Sequence, residues 1–354
     1  MALGPENRAR LAFYGSIYLL WILLIFFTTK QSSGPDESWL SGWQRWDARW
    51  YEQIWSEGYP EADPRSLVFP PGYPFAVGAL SRLFSGSFLA TAVVLNLAAF
   101  FCSAILISEW LSRKFYISAY FAFTAYSDLL FMLLLWILLW VAFMAPQRRG
   151  YKILIAQSSL LFVLPWIRLT GFALVSWLLA RRAVALAVLA SLALWLGFNR
   201  MIAGNALYFL HAQELFAMPQ GNFFQGLADS LRHLASDWQV RPATNWLEFG
   251  FLPLFYLGAL TAAAIWLAKR REGLLALSVL AILVLSYNQG LWRSAVRYDL
   301  PLTPVLCLPL LVTAESGPRR ASYFSRAAFC AITIGQFSLQ IYFARIFHAG
   351  GWAF

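Results

Sequence analysis

Paired basic residues recur through this chain at Arg113–Lys114, Arg148–Arg149, Arg181–Arg182, Lys269–Arg270–Arg271 and Arg319–Arg320, with apolar runs between them. Short loops rich in Lys and Arg stay on the cytoplasmic side of a membrane, and a spanning helix takes ~20 residues. Each interval between two tracts must therefore hold a return trip. A chain so constrained folds as an all-α polytopic membrane protein. Its composition agrees, with 60% hydrophobic and 12% charged residues and a mean hydropathy of +0.59, which excludes an ordinary soluble domain. The formal net charge of +10 is carried largely by these loops, so it does not call for a nucleic-acid partner.

Arg8 and Arg10 put the N-terminus in the cytoplasm, ahead of a first span over 11–29. The first external loop, 30–87, is rich in acidic residues and contains Pro70, Pro71 and Pro74, which forbid a straight helix there. Its segment 67–84 reads as a turn leading into a short interfacial helix. Span 88–110 returns to the cytoplasm. The apolar stretches 115–145 and 153–180 are long for one crossing and are interrupted, one at Tyr126–Asp128 and the other at Pro165, Arg168 and Gly171. Two hairpins of short helices, with Asp128 and Arg168 at their external tips, keep every basic tract inside. Spans over 183–200, 246–268, 273–290, 301–314 and 323–343 complete about ten or eleven crossings, with a second external segment at 201–243 and an external C-terminus. The whole of 1–354 forms one membrane-embedded domain. Cys102, Cys307 and Cys330 lie in apolar stretches at unrelated spacing and read as core residues, not as a disulfide framework or a zinc site.

Within the first external loop, residues 41–60 (SGWQRWDARWYEQIWSEGYP) predict a helix. Ser41 and Gln44 have capping-box spacing, and Gly58 with Pro60 makes a stop. At ~100° per residue, Arg45, Arg49, Glu52 and Ser56 share a charged face. Asp47 falls among Trp43, Trp50 and Ile54 on the other face. A carboxylate set among tryptophans must be desolvated, paired or used.

Polar residues outside the cytoplasmic loops converge on the external side: Asp47, Asp128, Arg168, His211, Arg293, Arg297 and Asp299. One base, several cations and an apolar surround describe a site for an anionic, lipid-linked substrate. Arg suits phosphate because its planar fork donates two hydrogen bonds to one anion. A single carboxylate serves as general base when the leaving group is a phosphate that needs no proton. Each signal has a plain structural counterpart. Asp128 and Arg168 could pair with each other, Arg293 and Arg297 also fit headgroup anchoring, and His211 is as readily a satisfied structural histidine. No metal-ligand spacing declares itself, so no cofactor is indicated.

The order of words along the chain resembles the PIG-V-like mannosyltransferases of the GT-C class. Those words are Arg45-Trp46-Asp47, Gly58-Tyr59, FPPGYP at 69–74, Ala125-Tyr126-Ser127-Asp128, Arg168-Leu-Thr-Gly171, FLHAQ at 209–213 and Arg297-Tyr298. The family often carries Glu where this chain has Asp128. The resemblance implies a GT-C-like bundle with short interfacial helices in its external loops. It also implies transfer of a sugar, typically mannose, with inversion from a polyprenyl-phosphate donor to a lipid- or glycan-linked acceptor hydroxyl. Carried over here, Asp47 is the base. Arg45, Trp46, Tyr51, Asp128, Arg168, His211, Arg293, Arg297 and Tyr298 are the substrate- and donor-binding candidates. The short loops favour the plasma membrane of a prokaryote over the endoplasmic reticulum. Two rivals share the same anionic-lipid site: a transporter or flippase for a lipid-linked glycan, and a non-catalytic subunit of a transferase complex.

Overall fold

The computed structural model describes residues 5–31, 38–59, 63–110, 126–143, 151–179, 182–215, 252–288 and 341–348, with isolated positions between 224 and 338. These are helical, with no strand among the described residues. The helices are α1 (Pro5–Lys30), α2 (Asp47–Glu57), α3 (Gly72–Leu83), α4 (Phe88–Trp110), α5 (Asp128–Phe143), α6 (Tyr151–Ile167), α7 (Arg182–Ala203), α8 (Tyr208–Glu214), α9 (Leu252–Lys269) and α10 (Gly273–Asn288). Tight 3₁₀ segments cover Ser41–Trp43, Pro64–Val68 and Leu169–Leu179.

Three helical stretches are long and apolar enough to cross a membrane: Phe88–Leu106, Val184–Ala203 and Leu252–Lys269. Shorter apolar helices surround them, including Asp128–Ala142 and Tyr151–Ile167. Several expected crossings involve residues 115–125 and most of 301–340, which lie outside the described residues. Large apolar side chains line the outer flanks of α1 and α7; Leu20 and Leu186 are each 68% exposed. Apolar surface on that scale is unusual for a molecule surrounded by water.

The chain packs largely in sequence order. α4 lies along α5, α5 along α6, α6 along α7, and α9 along α10. The 3₁₀ run Leu169–Leu179 threads between α6, α7 and α10. At ~2.0 Å per residue it covers ~22 Å, close to the length of α6, so it makes a return leg with fewer residues. The break between α6 and this run falls at Arg168, as the interrupted sequence predicts. Pro165 sits in the last turn of α6, where it withholds one N–H from the ladder just before the helix ends at Ile167. Cys102, read from the sequence as a core residue, is instead exposed on the outer side of α4.

Two side-chain pairings fix the height of the hairpin tips. Asn96 of α4 donates to the Tyr126 carbonyl at 3.1 Å, and Trp166 packs edge-to-face on Trp195 of α7, centroids 5.7 Å apart. Asn96 lies eight residues after Phe88, and Trp195 eight residues before Ala203. At ~1.5 Å per residue, α4 and α7 therefore rise ~12 Å beyond the tips. The tips form a recessed floor between two taller walls. The segment 38–84 roofs it, with α2 packed on α3, and α3 on α4 and α6.

Candidate functional site

The roof is held from several sides. Trp39 donates its indole N–H to Thr29 Oγ1 at the end of α1, 2.9 Å away. Trp39 and Trp43 also pack against His348, whose Nε2 meets the Trp39 carbonyl at 3.0 Å. Farther on, Tyr59 donates to the Phe69 carbonyl at 2.5 Å, and Trp50 stacks on Phe69 with ring centroids 5.9 Å apart. The guanidinium of Arg65 covers Trp50 at 5.2 Å and pairs with Asp63 at 2.7 Å. Asp63 also accepts from the Arg65 N–H, with Pro64 at the first position of the turn.

The sequence predicts one helix from Ser41; the structure breaks it. Ser41–Trp43 is a single 3₁₀ turn, and Ser41 Oγ donates to the Ser38 carbonyl, so the expected capping box does not form. Trp46 then adopts φ 50° and ψ −118°, a region that favours glycine, and α2 begins at Asp47. Holding a tryptophan there costs on the order of 1–3 kcal/mol. Its neighbours impose the conformation: the Arg45 carbonyl accepts from Ala48 N–H at 3.0 Å and from Tyr126 OH at 3.5 Å, and the Trp46 carbonyl accepts from Arg49 N–H at 3.2 Å. The predicted stop is present, with Gly58 at φ 84° and its N–H on the Ile54 carbonyl.

The turn lifts Arg45 off the helix and puts Asp47, half-buried, in its first turn. A negative charge is favoured at that end of a helix. Ala48, Tyr51 and Ile54 face inward. Glu52 is not the solvated residue that the helical wheel implies. It is half-buried and accepts a hydrogen bond from the Gln44 amide, and burial pushes its carboxyl above the ordinary range. The Tyr59 hydroxyl is pushed well up, first by burial and then by Tyr51. Asp63 is held low chiefly by its hydrogen bond from Arg65.

Below the roof, three consecutive residues bond to four separate residues: Arg45, Tyr51, Asn96 and Arg168. Tyr126 gives its hydroxyl to Arg45 and takes Asn96 on its carbonyl. Ser127 shares a 2.9 Å hydrogen bond with Tyr51 of α2. Asp128, at the start of α5, forms an ion pair with Arg168, just past the end of α6. Each charge sits where its helix dipole favours it. The pair is deeply buried, Asp128 at 3% and Arg168 at 6% exposure. Tyr73 of α3 enters the same network by accepting from Asn96 at 3.1 Å.

The structure thus brings Arg45, Trp46, Asp47 and Tyr51 to one place above Asp128 and Arg168, which pair with each other. His211 is elsewhere on the roof. It is exposed on α8, edge-on to Tyr208 at 5.7 Å, and α8 packs against Pro64–Val68. Arg293, Arg297 and Tyr298 lie outside the described residues. Among the described residues, no cluster of three His, Cys, Asp or Glu stands ready for a metal ion.

Sequence reasoning passed over Asn96, Tyr73 and His348. Asn96 carried a usable signal as an amide in the middle of the apolar span 88–110, where a polar side chain needs a partner. His348 carried none, because its partner is 309 residues away. In comparison with known proteins, the chain matches no family model, no curated protein and no solved structure.

Proposed function

We propose that the chain is an integral membrane glycosyltransferase of the GT-C type, most simply a mannosyltransferase. In this reading its ten or eleven crossings leave the roof on the external face of a prokaryotic plasma membrane. A polyprenyl-phosphate sugar is the donor, and a hydroxyl of a lipid- or glycan-linked acceptor is the nucleophile. The acceptor oxygen attacks the anomeric carbon from the face opposite the phosphate. The bond between that carbon and the phosphate oxygen breaks, configuration inverts, and polyprenyl phosphate leaves without needing a proton. Asp47 takes the proton of the acceptor hydroxyl.

The observation that carries this reading is the strained turn at Trp46, which starts α2 at Asp47 and leaves that carboxylate half-buried at the head of a helix held to the Tyr126–Asp128 floor. Strain of this kind persists only where surrounding contacts over-determine it, and it clusters at working sites. Among the described residues, the Nε of Arg45 is buried with no hydrogen-bond partner. A guanidinium suits a phosphate donor because its forked N–H groups can bond one anion twice. Arg293, Arg297, Tyr298 and His211 are the further candidates for holding the donor. Asp128 and Arg168 have the geometry of a support, since each is occupied by the other.

The test is transfer of radiolabel from polyprenyl-phosphate-mannose to extracted membrane acceptors, using the full chain in lipid nanodiscs. Asp47→Asn should cut turnover by about 10²–10⁴-fold while leaving its melting temperature near that of the wild type. Undiminished transfer by this variant would remove Asp47 as the base. A wild-type chain that moves the donor between leaflets and forms no covalent product would be a transporter.

A further inference from the structure

We propose that Glu52 and Arg49 are positioning residues: by gripping Gln44 they exclude a continuous helix over 41–57 and hold the reversal that starts α2 at Asp47. The consequence for catalysis rests on the glycosyltransferase reading; the consequence for the fold does not. Gln44 closes the 3₁₀ turn, at φ −87° and ψ 59°, and is held twice. Its side-chain amide donates to Glu52, and its main-chain carbonyl accepts from Arg49 Nε at 3.3 Å. Arg49 and Glu52 are three residues apart on one face of α2, so both bonds draw Gln44 against the side of the same helix. Arg45 and the strained Trp46 lie inside the loop that these bonds close.

The grip and the helix expected from the sequence exclude each other. On a continuous helix only residues three or four apart face one another. Gln44 and Glu52 would stand ~12 Å apart along its axis, with Gln44 leaning toward the N-terminus and so away from Glu52. The two side chains meet only because the chain turns back between them. The Gln44 side chain, which a capping box would send back to the Ser41 N–H, goes forward to Glu52. The Ser41 N–H takes the Ser38 carbonyl at 2.9 Å. Gln53 and Glu57 show the ordinary kind of pair on the same helix: four apart, exposed and 3.1 Å long. That pair supports α2 and nothing else. The Gln44–Glu52 bond crosses the break and is partly buried, at a desolvation cost to the Glu52 carboxylate that an exposed pair avoids.

The experiment uses the full chain in nanodiscs, with its native cysteines replaced by serine and spin labels on Ser41→Cys and Glu57→Cys. The distance between the labels is read by electron paramagnetic resonance. A continuous helix sets the two backbones ~24 Å apart, and the chain with its grip intact should read shorter. Glu52→Ala and Gln44→Ala should each move part of the distribution toward the longer value. Exchanging the partners, Gln44→Glu with Glu52→Gln, keeps one donor and one acceptor and should bring the short distance back. In the transfer assay Glu52→Ala should lower kcat by about tenfold or more, with KM for polyprenyl-phosphate-mannose within about threefold, and the exchanged pair should recover turnover. An unchanged distance in both alanine variants overturns the grip. So does an exchanged pair that reads like Glu52→Ala, because the bond would then not be what holds the turn. A lengthened distance with kcat unchanged overturns the positioning role. Lengthening in the alanine variants, with no sugar transfer by the wild type, sinks the enzyme reading and leaves the grip standing. Sugar transfer by the wild type with no lengthening in either variant does the reverse.

Discussion

Asp128 and Arg168 show how much a single buried charge depends on its partner. Removing one member leaves the other unpaired at depth, so Arg168→Met should destabilise the fold by about 3–5 kcal/mol. Replacing both, as Asp128→Leu with Arg168→Met, should recover much of that loss, and melting in detergent would show the double variant above the single one. A double variant as unstable as Arg168→Met would mean that the pair carries further bonds within the floor. The Tyr51–Ser127 bond is neutral and smaller in effect; Tyr51→Phe should cost about 1 kcal/mol. Glu52 gives a pH-dependent case. Its folded value is raised above the ordinary 4.5, so its contribution is intact below that pH and is lost as pH rises through the folded value. Glu52→Gln should therefore gain thermal stability over the wild type between pH 4 and pH 7, and a constant difference would count against the burial. Asp63, held low by Arg65, has the opposite sign: its stabilisation is present above the ordinary value and lost as pH falls through the folded one.

Among the elements, the helices were legible where charge delimits hydropathy. The span expected at 88–110 is α4 residue for residue, and α7, α9 and α10 begin or end beside Arg182, Lys269 and Arg271 as expected. The start of α2 was not legible. The helical wheel over 41–60 has nothing to mark a break, because the residue at positive φ is Trp46 and no glycine stands there. The same error put Arg45 on the charged face and Glu52 in solvent. The fit of roof to floor is a tertiary property, and glycine is its only trace in the sequence. A Cβ on Gly72 would sit 2.5 Å from the Trp166 carbonyl oxygen and 2.8 Å from its carbon, both backbone atoms that cannot swing aside. Gly78 lies against the Trp55 ring of α2, a side-chain neighbour within the roof. Gly72→Ala should lift α3 from α6 and lower sugar transfer by more than about tenfold, with little change in membrane insertion. Normal turnover in that variant would separate α3 from the working site.

For the whole molecule, the candidate site is a meeting of segments far apart in sequence, which is why its residues were nameable one at a time but their grouping was not. Tyr51 reaches Ser127 across 76 positions and Asp128 reaches Arg168 across 40. The proposed orientation is open to a direct check. With the native cysteines replaced by serine, Glu57→Cys on α2 should react with a membrane-impermeant maleimide in intact cells. Glu272→Cys, in the exposed turn between α9 and α10, should react only after lysis. Equal labelling of both would overturn the topology. The contact between His348 and Trp39 also orders events during synthesis. The first loop leaves the ribosome early, yet its aromatic seat is completed only by a residue made 309 positions later. A partly made chain therefore holds its Asp47 turn without that support, so a chain cut before the helical residues 341–348 should lack the proposed transfer activity.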